Sequence, residues 1–168
     1  YRDKNISDIL NLTIDEALDF FKEDGTGPAK KVVSKIQPLQ DVGLGYVQLG
    51  QASNTLSGGE AQRIKLASFL TKGKNAKKTM FIFDEPTTGL HFHDIHKLLK
   101  AFNALIENGH SLVIVEHNSD IIKTADWVID IGPEGGEEGG EIVFTGTPED
   151  LVNCEASYTG QFLKEKLV

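Results

Sequence analysis

Apolar residues in this chain recur at two spacings, and the change between them divides the sequence. In the first fifty residues the spacing is helical. Ile14, Ala17, Leu18 and Phe21 fall on one face behind Thr13 and Glu16, which have the separation of a capping box. GTGP at 25–28 breaks that helix, and Pro28 suits the first turn of the next. Val32, Val33, Ile36 and Leu39 supply a second stripe, which Pro38 interrupts. The segment DVGLGYVQLGQASN reads as a glycine-punctuated connector into a third helix, where Ile64, Leu66, Ala67 and Leu70 are available for burial.

After Lys78 the apolar residues become consecutive. Met80, Phe81, Ile82 and Phe83 form a short run of the kind found in a strand covered on both faces, and it stops at Asp84-Glu85-Pro86. The spacing then predicts an amphipathic helix from about His93 to Asn108, with Ile95, Leu98, Leu99, Phe102 and Leu105 in register and Asn108-Gly109 as its stop. Leu112 to Val115 is a second strand ending at Glu116-His117. A short helical stretch leads to a third strand, Trp127 to Ile131. A glycine-rich turn, GPEGGEEGGE, reaches a fourth at Ile142 to Phe144, and TPEDL opens a last helix. Strands alternating with helices predict an α/β fold, with a mostly parallel sheet flanked by helices and a helical segment before it. The expected division is 1–78 for the helical segment and 79–168 for the α/β core. Trp127 is read as a core residue and Cys154 as a small packing residue.

Composition narrows the picture. A chain of 168 residues that is 39% hydrophobic can bury one core. A net charge of −8 excludes a chain that coats DNA or an anionic membrane with most of its surface. No apolar run approaches the ~20 residues of a membrane span. The single cysteine excludes an internal disulfide framework and a multi-cysteine zinc site within the chain, and it fits a reducing compartment. The N-terminus lacks both the layout of a signal peptide and an initiator Met, so a piece of a longer protein is expected. Arg63, Lys65, Lys72, Lys74, Lys77 and Lys78 make one stretch basic. It reads either as a solvated turn or as a contact to a DNA backbone. The turn acids Glu134, Glu137, Glu138 and Glu141 lack the spacing of a calcium loop and read as a solvated connector. His91, His93 and His96 lie close together, but no carboxylate or cysteine pattern completes a zinc site.

Candidate chemistry gathers at strand ends, where ligands of open α/β sheets sit. Asp84 and Glu85 follow the first strand and His117 follows the second. One carboxylate there can hold Mg²⁺ through water, its neighbour can deprotonate an attacking water, and a histidine can donate to a phosphate oxygen. Solvated loop residues are the alternative. The stretch LSGGEAQRIKLA raises a related choice. Ser57 and Glu60 have capping-box spacing, so Gly58 and Gly59 belong either to a plainly capped helix or to an anion site where bare N–H groups let a phosphate approach.

Taken together, these segments resemble the ATP-binding-cassette ATPases. LSGGEAQRIKLA is similar to their signature motif, MFIFDEP to Walker B, TTGLH to the D-loop and VIVEH to the switch-histidine strand, in family order. LGYVQLGQASNTLSGGEAQRIKLA, DEPTTGLH, VIVEHNSDIIKTADWVIDIGPEGG and GTPEDL resemble more closely the C-terminal cassette of the UvrA family, the damage-recognition ATPases of bacterial nucleotide excision repair. A transporter-type cassette is the alternative, although transporter D-loops commonly carry Asp where His91 stands here.

The resemblance implies the C-terminal part of an ABC-type P-loop ATPase domain, with ATP and Mg²⁺ as ligands of the full-length protein and zinc bound upstream of this chain, none within it. It implies Asp84 as the magnesium carboxylate through water, Glu85 as the catalytic carboxylate and His117 as the γ-phosphate sensor. Ser57, Gly58, Gly59 and Glu60 become signature residues that close on ATP held by a different cassette. Implied partners are damaged double-stranded DNA, a UvrB-type repair subunit and a second copy of the full-length protein, in the cytoplasm and with no membrane. The sequence contains no GxxxxGK[ST]. Its one Gly-Lys pair, Gly73-Lys74, is followed by Asn75, and Ser68 stands where the first glycine would be. Negligible ATP hydrolysis by the chain alone is therefore expected. So is an uncovered apolar surface on Phe81 and Phe83 or on Val113 and Val115, which would favour association.

Overall fold

A computed structural model describes residues 1–70, 77–132, 134 and 139–167. Lys72 and Lys74 of the basic stretch, and Glu137 and Glu138 of the glycine-rich turn, lie outside the described residues, as does the side chain of His93. The chain divides into two compact units, Tyr1–Val115 and Glu116–Val168.

In the first unit, α1 (Ile6–Leu10), α2 (Ile14–Asp24) and α3 (Gly27–Asp41) lead to α4 (Gly58–Leu70). Strand β1 (Met80–Asp84), helix α5 (Phe92–Glu107) and strand β2 (Ser111–Val115) complete it. The expected capping box forms: Thr13 accepts from the Glu16 amide, and Glu16 accepts from the Thr13 amide at 2.8 Å. Gly25 closes α2 in the left-handed conformation, at φ 64°. Thr26 caps α3 and Pro28 lies in its first turn. Pro38 does not stop α3, which continues to Asp41: the proline removes one bond, to Ser34 of the preceding turn, and the residues after it keep helical backbone. The connector that follows packs back on α2: the Ile14 amide donates to the Val47 carbonyl at 2.9 Å, and the Asp15 amide to Gly45 at 2.9 Å.

One core joins these elements. Ile14 and Leu18 of α2, Val42, Leu44 and Val47 of the connector, Leu66 and Ala67 of α4, Phe83 of β1, and Leu98, Ala101, Phe102 and Leu105 of α5 are all buried together. Strands β1 and β2 pair in parallel, with Asp84 opposite Val115. Phe81 and Phe83 face the core, where Phe83 meets Phe102 at 5.0 Å and Phe81 meets Phe69 at 4.8 Å. At the start of β1, Nδ1 of the buried His110 accepts from the Thr79 amide at 3.2 Å. Within this unit the second face of the pair is uncovered. Met80 is 65% exposed, Ile82 71%, Val113 46% and Val115 49%. The expected exposure thus falls on the valines, and with them on Met80 and Ile82, whereas Phe83 is buried. Strict alternation in a strand sends each second residue to the opposite face, and a continuous apolar run hides that alternation.

The second unit contains α6 (Ser119–Ile122), β3 (Val128–Gly132), β4 (Glu141–Gly146), α7 (Pro148–Leu151) and α8 (Tyr158–Leu167). Its two strands pair antiparallel, with an irregularity between Asp130 and Ile131. The short connection from Gly132 to Glu141 decides this, since a parallel partner needs a longer crossover. Among its described residues Ile121, Pro148, Leu151 and Leu163 are buried. Trp127 corrects the sequence reading: it is 62% exposed, because it precedes β3 on the same outward face as Ile129 and Ile131.

Candidate nucleotide site

Helix α4 begins with the capping pair that its spacing predicts. The Ser57 amide donates to the Glu60 carboxylate at 2.7 Å, and the Glu60 amide donates to Ser57 Oγ at 3.3 Å. The other Glu60 oxygen accepts from the Tyr46 hydroxyl at 2.6 Å. The Tyr46 hydroxyl, then the Ser57 amide, hold the Glu60 carboxyl below its ordinary range, and desolvation followed by Glu60 pushes the Tyr46 phenol up.

The two glycines have different surroundings. A Cβ on Gly58 would meet nothing within 4 Å. A Cβ on Gly59 would lie 3.1 Å from the Thr88 carbonyl oxygen and 3.2 Å from an Arg63 nitrogen. Gly59 is therefore needed for close packing between α4 and the 85–88 turn, while Gly58 leaves the first turn bare toward solvent.

Asp84 closes β1 and Glu85 follows it, both exposed. The Glu85 amide donates to the Val115 carbonyl at 2.9 Å, extending the ladder by one bond. Glu85 itself has φ 45°, a left-handed conformation that costs a non-glycine residue about 1–2 kcal/mol. The turn continues with the Thr88 amide on the Glu85 carbonyl at 3.1 Å. Thr88 Oγ1 reaches a Glu85 carboxylate oxygen at 3.4 Å.

Two residues that the sequence reading did not single out for this site fix the turn to α4. Gln62 donates to the Asp84 carbonyl at 2.8 Å and accepts from the Asp84 amide at 3.2 Å. Arg63 is fully buried, and its Nη1 donates to the carbonyls of Pro86 at 2.6 Å and Thr88 at 3.3 Å. Arg63 thus leaves the basic surface stretch, whose described members Lys65, Lys77 and Lys78 stay exposed. Helical spacing was the available signal for Arg63, which stands three, four and seven residues before Leu66, Ala67 and Leu70 and so on the face that packs inward.

His117 belongs to the second unit, two residues beyond the end of β2 in sequence. It is exposed, and its amide donates to the Glu116 carboxylate at 3.1 Å. Among the described residues no group of three or more His, Cys, Asp and Glu side chains is arranged to hold a metal ion, and no helix is long and apolar enough to cross a membrane.

A parallel strand ending in paired acids, tied to a glycine-started helix, sits in an α/β fold of the ABC ATPase type. The chain superposes on a bacterial Atm1-family ABC exporter with ATP bound at a TM-score of 0.51, over 95% of this chain and 27% of that one. At 18% identity that likeness concerns the fold alone. A crystal structure of UvrA2 from Deinococcus radiodurans matches better, at a TM-score of 0.82 and 43% identity over 100% of this chain and 20% of that one. UvrABC system protein A of Agrobacterium fabrum is 58% identical over 99% of this chain and 16% of the relative, and that of Clostridium perfringens 52% identical over 99% and 17%. No family model matches. The chain belongs to the UvrA family, as a segment spanning about one sixth of the length of those curated relatives.

Proposed function

We propose that this segment forms the distal half of the second ATP-binding cassette of a UvrA-type protein, which binds and hydrolyses ATP to control recognition of damaged DNA in nucleotide excision repair. The reading rests on one observation: the exposed acids Asp84 and Glu85 stand at the end of a parallel strand, and Gln62 of the helix that begins at Gly58 bonds the Asp84 backbone. In this reading residues 1–78 carry the signature and 79–168 the α/β core. Working partners are damaged double-stranded DNA, a UvrB-type subunit and a second copy of the full-length protein, in the cytoplasm.

The donor set fits magnesium. Asp84 is an exposed hard-oxygen ligand with no described partner on its carboxylate, and Glu85 stands beside it. Mg²⁺ is commonly held by one or two carboxylates with water and substrate phosphates completing the shell. When bound, Mg-ATP supplies the electrophilic phosphoryl group and a cation that spreads its charge. Asp84 would hold that ion through water. Glu85 would accept the proton of the attacking water. His117, of the second unit, takes the role of γ-phosphate donor from the family resemblance alone. The bare amides at Gly58 and the Ser57 hydroxyl, which keeps a proton to donate, meet the phosphates of ATP held by a different cassette, with the helix N-terminus favouring negative charge. Gly59 and Glu60 support that surface, one by close packing and the other through the cap.

The chain alone lacks a sequence to cradle the phosphates, so it hydrolyses ATP negligibly. In the full-length protein carrying this segment, Glu85→Gln lowers turnover by about 10³-fold while nucleotide binding persists. Turnover by the isolated chain that Glu85→Gln abolishes would overturn the trans arrangement. Unchanged turnover in the full-length variant would overturn the catalytic assignment.

A further inference from the structure

From the bonds around the acidic turn we infer that Gln62 and Arg63 are positioning residues that hold the Glu85 backbone in its left-handed conformation and so tie the signature helix to the carboxylates of the same chain. The inference rests on the ATPase reading above and adds a cis linkage to it.

The geometry is specific. Residues of an extended strand present their backbone groups alternately to either side. The Glu85 amide points toward β2 and bonds Val115, so the Asp84 amide and carbonyl point the other way. No described strand lies there. The Gln62 carboxamide supplies both missing bonds, an acceptor and a donor, as a neighbouring strand would. On the far side of Glu85, Arg63 Nη1 takes the carbonyls of Pro86 and Thr88. The strained residue is therefore clamped before and after by consecutive side chains of one helical turn. A left-handed Glu persists only where its surroundings over-determine it, and these are the surroundings. Toward the N-terminus of the same helix lies Glu60, bonded to the preceding Ser57 and to Tyr46 of the connector. Arg63 Nη2 also approaches the Tyr46 hydroxyl at 3.4 Å, which in turn donates to Glu60. A continuous hydrogen-bonded path thus runs from the N-terminal end of α4 through Glu60, Tyr46 and Arg63 to the carbonyls that follow Glu85, while Gln62 holds the Asp84 side separately. A shift of α4 when its N-terminus meets a phosphate moves the turn with it.

The test uses the full-length protein carrying this segment, with Gln62→Met as the main variant. Methionine keeps the length and packing of the side chain and removes both bonds to Asp84. The expected result is a fall in kcat of about 10²-fold with KM for ATP within threefold, since a small misplacement of a catalytic group costs that much in rate. Hydrogen–deuterium exchange at the Asp84 amide rises at least tenfold, while the Ser111–Val115 amides are unchanged. A purely structural role for Gln62 predicts instead a lower thermal midpoint with kcat per folded molecule preserved. Should kcat stay within twofold of wild type, or the Asp84 amide exchange at its wild-type rate, the inference is overturned. Glu85→Gln, assayed alongside, separates the two levels: if it too leaves turnover intact, the catalytic reading has failed rather than the linkage. Arg63→Lys provides a second arm, because one ammonium lacks the planar fork: it lowers kcat and raises exchange at the Thr88 amide, which bonds the Glu85 carbonyl within the turn that Arg63 holds.

Discussion

The two strand pairs put their aspartates to opposite uses. Asp130 lies within β3 of the second unit, and both its oxygens are taken, one by the Ser157 hydroxyl and the other by Thr159 Oγ1 at 3.1 Å. Ser157 is buried and also accepts from the Gly160 amide at 2.8 Å, so Asp130 belongs to a satisfied structural knot. Asp84, in the first unit, has its backbone bonded on one side by Gln62 and its carboxylate left to solvent. A carboxylate whose bonding capacity is used up stabilises a fold. One whose backbone is clamped but whose oxygens remain available is set up to bind something else.

Arg63→Ala gives the largest expected effect. It should destabilise the first unit by about 3 kcal/mol or more, since it opens a cavity and strips the Pro86 and Thr88 carbonyls of their donor. Urea unfolding measures it, and a loss below about 1 kcal/mol would mean that the turn is held by other contacts. The glycine pair gives a smaller, sharper contrast. Gly59→Ala should lose about 1–2 kcal/mol by pressing a methyl on the Thr88 carbonyl, whereas Gly58→Ala, facing open space, should change stability by less than about 0.5 kcal/mol. Equal losses would show that the two positions do not differ as their surroundings do.

The smallest effect is a pH dependence. The Tyr46 hydroxyl and Ser57 amide hold Glu60 below its ordinary value of 4.5. A carboxyl depressed in the folded state contributes stability that is present above its unfolded value and lost as pH falls through the folded one. The urea midpoint should therefore fall on acidification below that ordinary value more steeply for wild type than for Glu60→Gln, and parallel curves would exclude the capping bonds as the cause.

Local features were legible in the sequence. The Thr13–Glu16 box, the α5 stripe from Ile95 to Leu105 and its Asn108-Gly109 stop all follow from contacts within a few residues. So did the candidate acids, because a strand end is marked by where the apolar run stops. What failed to show was anything set by the rest of the fold. Met80 and Ile82 look as apolar as Phe81 and Phe83, and only the position of α5 decides which pair is buried. Trp127 has the composition of a core residue but the parity of an outward one. Arg63 reads as surface charge until the 86–88 carbonyls are brought over it, and the left-handed backbone of Glu85 has no mark in the sequence at all.

The most direct test compares Asp84→Asn with Asp130→Asn in the full-length protein, reading thermal midpoint and magnesium-dependent ATP turnover on the same preparations. The account predicts that Asp84→Asn keeps its midpoint and loses turnover by about 10²-fold or more, whereas Asp130→Asn lowers the midpoint and keeps the turnover of its folded fraction. If Asp84→Asn melts early and its folded fraction retains full turnover, Asp84 is a structural residue and the proposed site is wrong.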